Sequence, residues 1–100
     1  MAKTTGGAIS AVTEEEIVEG IELLARTTGV FTETAGGVTT AVLAKLARAG
    51  RIDPGERVVL YITGDGLKTL DAVASRVQRY DVAPTVASFE EAMGEARLIA

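Results

Sequence analysis

Five apolar residues in a row, Val58 to Ile62, stand between Arg57 and a glycine-punctuated segment, Thr63-Gly64-Asp65-Gly66. A short unbroken apolar run bounded by turn residues suits a strand buried on both faces, as in parallel sheets. Elsewhere the spacing is helical. Ile17, Ile21, Leu24 and Ala25 recur on one helical stripe, with Glu19 and Glu22 off it. Thr13 and Glu16 form a capping-box pair ahead of that stripe, and Gly29 is placed to end the helix in a left-handed conformation. A second helix is predicted over about Val38 to Ala49, preceded by a turn at Thr34-Ala35-Gly36-Gly37. It is apolar around most of its circumference, and its charges, Lys45 and Arg48, lie in the C-terminal half where the helix dipole favours them. Gly50 ends it, and Asp53-Pro54-Gly55 supplies a turn. A third helix, about Leu70 to Gln78, places Leu70, Val73, Ala74 and Val77 on one face. Ser88 with Glu91 repeats the capping pattern before a final helix carrying Phe89, Ala92, Met93 and Ala96. Gly7 to Val12, Val30 to Glu33 and Val82 to Ala87 read as extended, and Pro84 demotes the last to an edge or connector.

Strands alternating with helices argue for an α/β layered domain. With few strands and a nearly all-apolar second helix, the chain carries more apolar surface than it can cover alone. The expectation is a single partial domain over residues 1–100, belonging to a larger sheet supplied by further sequence or by a partner.

Composition narrows the functional classes. Of 100 residues, 47% are apolar but only four are aromatic, so the core rests on Val, Ile, Leu and Ala. A net charge of −4 with scattered Lys and Arg offers no basic field for nucleic acid. No apolar run approaches the roughly 20 residues that span a bilayer. The absence of Cys and His removes thiolate nucleophiles, Ser-His triads and Cys- or His-ligated metal from this chain, and fits a cytoplasmic protein.

Three places could carry chemistry. In open α/β sheets ligands gather at the carboxyl ends of strands, where Thr63 to Gly66 falls. That loop is either a structural turn or a ligand-contacting segment. It is not a dinucleotide fingerprint, because Thr69 occupies the third glycine position, and Leu67 breaks the spacing of a nucleoside-triphosphate loop. Thr34 to Gly37 is either an anion-friendly helix start or a close-packing device. Glu33, following apolar Val30 and Phe31, is either a partly buried acid or a solvent-facing strand end. Asp65 alone cannot hold a metal ion, and Lys68 shows no setting for a Schiff base.

Taken together, GVFTETAGGVTTAVLAKL (Gly29 to Leu46) and VVLYITGDGLKTLDAV (Val58 to Val73) resemble the C-terminal part of threonine synthase, a fold-type-II pyridoxal phosphate enzyme. TEEEIVEGIELLART (Thr13 to Thr27) and the Gly6 to Val12 edge fit the same order. The resemblance implies the C-terminal part of a large three-layer α/β domain. It also implies an enzyme converting O-phosphohomoserine and water to threonine and phosphate. By the same resemblance, Thr63 occupies the position whose hydroxyl meets the cofactor's pyridine nitrogen, Gly64 lets the backbone pass near the ring, and Glu33 and Thr34 lie at its rim. No catalytic residue is carried over. The family's Schiff-base lysine, phosphate loop and small substrate domain belong to an N-terminal region with no counterpart here, and Lys3, Lys45 and Lys68 do not sit in the lysine motif. The chain alone is therefore expected to be inactive, and to need the missing N-terminal part or a completing chain; a homo-oligomer stays open. The alternatives are another fold-type-II enzyme, such as a threonine dehydratase relative, and a non-catalytic binding module derived from that fold.

Overall fold

The computed structural model describes residue 2 and residues 4–99, with side chains described through residue 94, so the readings for Lys3 and for the side chain of Ala96 lie outside it. The elements are α1 (Glu14–Thr28), α2 (Thr34–Arg48), a 3₁₀ helix (Gly66–Val73) and α3 (Val86–Ile99).

The first helix forms as its sequence dictates. Thr13 Oγ1 accepts from the Glu16 N–H, and the Glu16 carboxylate accepts from the Thr13 N–H at 2.7 Å, closing the capping box. Gly29 ends the helix at φ 76°, a left-handed conformation that glycine adopts without steric cost. The apolar stripe of α1 packs on α2, where Ile21, Leu24 and Ala41 are buried, and Val73 of the 3₁₀ helix is 2% exposed. Each such large side chain removed from water contributes roughly 1.5–3 kcal/mol. The two helices cross at glycines: a Cβ on Gly20 would overlap the Gly37 carbonyl, and one on Gly37 would lie 2.7 Å from the Ile17 carbonyl oxygen. Lys45 adds a polar tie from α2 to the start of α1, donating to Glu16 at 3.1 Å and to the Ala11 carbonyl at 3.1 Å.

The fold class expected from the sequence, a three-layer α/β domain, is not what the chain forms. Among the described residues there is no β-sheet; extended pairing is confined to one antiparallel bridge, Thr32 with Asp65. Val58 to Ile62 is not a buried strand: Val59 is 74% and Tyr61 78% exposed. Gly7 to Val12 forms no edge strand, and Ile9 is 90% exposed. The physical reason is that an extended segment becomes a strand only when a neighbour takes its N–H and C=O groups. Among the described residues no backbone bridge pairs with 57–62. The radius of gyration is 17.8 Å against about 13 Å for a compact chain of this length, so the apolar segments do not close round one core.

Helix boundaries also shift. The second helix starts at Thr34, four residues before the predicted start, and takes in Gly36 and Gly37, which the sequence reading assigned to a turn. The predicted third helix is a 3₁₀ segment beginning at Gly66, kinked at Thr69. The last helix starts at Val86, and Thr85, not Ser88, caps it by accepting from the Ser88 N–H at 3.3 Å.

Candidate functional site

The two motifs that drew attention in the sequence meet in space. The backbone at 31–33 runs beside 64–66: the Glu33 N–H donates to the Gly64 carbonyl at 3.2 Å, and the Gly66 N–H to the Phe31 carbonyl at 3.2 Å. Thr32 and Asp65 face each other between these bonds. The Thr32 hydroxyl, on a residue 1% exposed, donates to the same Gly64 carbonyl at 3.1 Å. That oxygen therefore carries two bonds, one from the backbone and one from a buried side chain. A third tie comes from further along: Thr69 Oγ1 accepts from the Thr34 N–H at 3.2 Å, at the kink of the 3₁₀ helix.

Glycines make this approach feasible. A Cβ on Gly64 would overlap the Glu33 carboxylate, and one on Gly66 would overlap the Phe31 ring. The Glu33 side chain thus lies along the Gly64 backbone, half-buried, at the N-cap of α2 without capping the helix itself. Its negative charge stands at the positive end of α2. The Thr34 N–H at this helix start is taken by Thr69, and Gly36 and Gly37 allow close packing against Thr32 and α1.

Asp65 also has a structural task. Its Oδ1 accepts from the Leu67 N–H at 2.8 Å, capping the 3₁₀ helix. Thr63 is exposed and stands beside Gly64, where the backbone carries no side chain. Glu33, Thr34, Thr63 and Gly64 are therefore brought into one neighbourhood. Lys68 is exposed, and Lys45 is engaged with Glu16 on the α1–α2 face. Sequence reasoning missed Thr32 and Thr69, whose partners lie more than thirty positions away. A threonine following apolar Val30 and Phe31 was the available signal for Thr32.

Comparison with known proteins bears on what this neighbourhood belongs to. Threonine synthase of Methanocaldococcus jannaschii is 51% identical over 69 residues, which is 69% of this chain and 17% of that protein. Threonine synthase of Halalkalibacterium halodurans is 39% identical over 90 residues, 90% of this chain and 25% of that protein. Cysteate synthase of Methanoregula boonei is 29% identical over 93 residues, 93% of this chain and 21% of that protein. The chain spans about a fifth of the length of these curated relatives. The family model described as "Pyridoxal-phosphate dependent enzyme" matches residues 1–64, a stretch that ends on Gly64 and contains Glu33, Thr34 and Thr63. On that match, the chain belongs to the pyridoxal-phosphate dependent enzyme family, with threonine synthases among its relatives.

Proposed function

We propose that this chain supplies one wall of the cofactor site of a threonine-synthase-like enzyme, which converts O-phosphohomoserine and water to threonine and phosphate. Thr63 presents its hydroxyl to the pyridine nitrogen of pyridoxal phosphate, and Gly64, Glu33 and Thr34 border the ring. The observation that carries the reading is the pair of hydrogen bonds that the Thr32 hydroxyl and the Glu33 N–H donate to the Gly64 carbonyl, which anchors the loop while Thr63 stays exposed. A cofactor edge needs a hydroxyl facing open space beside backbone free of side chains, and Thr63-Gly64 has that chemistry.

When bound, the cofactor supplies an electron sink for bonds at the substrate's α-carbon. A hydroxyl at the ring nitrogen, unlike a carboxylate, does not hold that nitrogen protonated, so Thr63 moderates the sink. The Glu33 carboxylate, lying along Gly64, fixes the loop's distance from the start of α2. Neither Lys45, tied to Glu16, nor exposed Lys68 is placed to bond the cofactor covalently. The covalent lysine, the phosphate-binding groups and the substrate contacts are therefore assigned to the rest of the enzyme, and the chain alone is inactive. Relatives named for two different reactions share this segment, which supports a cofactor-side role over one in choosing substrate.

The test joins this chain to an N-terminal portion of a threonine synthase, loads the product with pyridoxal phosphate, and compares Thr63→Val and Thr63→Asp with the parent. Both variants should shift the cofactor's absorption band and lower turnover. Parental spectrum and turnover in both would remove Thr63 from the ring. Pyridoxal phosphate added to the chain by itself should give no saturable band shift; a saturable shift would favour a free-standing binding module.

A further inference from the structure

We infer that Thr32 is a positioning residue for the cofactor-facing loop: its buried hydroxyl fixes the Gly64 carbonyl and, through it, the direction of Thr63. The inference rests on the proposed cofactor wall and adds a residue that touches no cofactor.

Thr32 is as deeply buried as the core residues Ile21 and Val73, and it is polar. Burying a hydroxyl is unfavourable unless it is hydrogen-bonded, and this one spends its proton on Gly64, thirty-two residues away. The space that holds it is made for it. A Cβ on Gly36 would overlap the Thr32 Oγ1 and lie 2.8 Å from its Cβ and Cγ2, so α2 can press on this side chain only through a glycine. With Gly36 on one side and Asp65 paired across the bridge, the Thr32 side chain is confined. Its β-branch adds stiffness at χ1.

The consequence falls on the next peptide. The Gly64 carbonyl receives Thr32 Oγ1 and the Glu33 N–H together, so the peptide plane following Gly64 cannot rotate freely. Gly64 itself has no side chain to limit its dihedral angles. Without the Thr32 bond, only the Glu33 N–H would hold that plane, and Thr63, one residue back, would sample a wider set of directions. Thr69 holds the other side of the same junction through the Thr34 N–H, but it acts on α2 and not on the loop carbonyl.

Two substitutions separate hydroxyl from shape. Thr32→Val keeps the branch and removes the donor; Thr32→Ser keeps the donor and removes the methyl. In the 100-residue chain, amide hydrogen exchange at Gly66 and Glu33 should quicken about fivefold in Thr32→Val, the effect of one lost neutral hydrogen bond, and Thr32→Ser should restore most of the protection. In the completed, cofactor-loaded enzyme, Thr32→Val should move the absorption band in the direction that Thr63→Val moves it. The double variant should match Thr63→Val alone, because both act through one hydroxyl. Unchanged exchange in Thr32→Val, or a parental spectrum beside a shifted Thr63→Val spectrum, overturns the role of Thr32 and leaves the cofactor wall standing. A parental spectrum in Thr63→Val overturns the wall, and the ring-directed role of Thr32 with it.

Discussion

Gly37→Ala puts the crossing of α1 and α2 to a direct test, because two opposing effects have different magnitudes there. In a free helix the change is favourable, by about 0.5–1 kcal/mol, since alanine loses less backbone freedom on folding. In this structure the new methyl would lie 2.7 Å from both the Ile17 carbonyl oxygen and Ile21 Cγ1. The Ile21 side chain can turn a little, but the carbonyl belongs to the backbone of α1 and moves only if the helix moves. Overpacking costs about 1–3 kcal/mol, and a clash with a backbone carbonyl belongs to the upper part of that range, about 2–3, so the net loss is about 1–2.5 kcal/mol. That would lower the thermal midpoint by about 4–20 °C. Gly94→Ala is the control: it sits inside α3 with no atom within 4 Å of the added carbon, and should raise helicity. Thermal melts of the chain followed by far-ultraviolet circular dichroism read both variants. Gly20→Ala added to Gly37→Ala should cost less than it does alone, since both methyls open the same crossing. A Gly37→Ala chain melting at or above the parent would refute the close approach of the two helices at these glycines.

Glu16 gives a pH dependence with a definite sign. The Thr13 N–H, and after it the Lys45 ammonium, hold its carboxyl below the ordinary value of 4.5. A depressed carboxyl contributes stability that is fully present above that value and is lost as pH falls through the folded-state pKa. Urea unfolding across acidic pH should therefore show a steeper decline for the parent than for Glu16→Gln, and parallel curves would remove Glu16 from the account. Thr85→Ala should lower the helical chemical shifts in the first turn of α3 more than Ser88→Ala does, at a cost of about 1 kcal/mol for the lost cap. The Arg76–Glu22 pair, 3.8 Å apart and well exposed on both sides, should change unfolding free energy by less than about 1 kcal/mol when Arg76→Ala breaks it.

What the sequence disclosed follows the range over which each cause acts. The boundaries of α1 were legible because cap, stripe and terminating glycine all lie within the helix or next to it. The start of α2 was not. Gly36 and Gly37 are poor helix formers locally, and read as a turn, but each sits where a neighbouring body leaves no room for a Cβ, Thr32 against one and α1 against the other. The glycine is explained by the packing, and the packing is invisible in a local window. Ser88 misled for a related reason: two capping patterns overlap, Thr85 with Ser88 and Ser88 with Glu91, and the helix uses the earlier one.

The segment 58–62 shows the sharper limit. Its β-branched and apolar residues predict a strand, and it forms no regular element, because burial on two faces depends on partners that its own residues do not encode. The loop that follows does not depend on those partners. Its geometry comes from the other side, through Glu33, Phe31 and Thr32 before α2, which between them hold Gly64 and Gly66. This is why the neighbourhood of Thr63 is formed although the described residues hold no sheet, and why the residues that form it were hard to see. Resemblance drew Glu33, Thr34, Thr63 and Gly64 together as motif letters. The hydrogen bonds that join them span more than thirty positions and leave no period in the sequence. The proposed cofactor wall would depend on the junction between α2 and the loop, so substitutions at Thr32 or Gly36 should reach Thr63 more directly than substitutions along the exposed run before it.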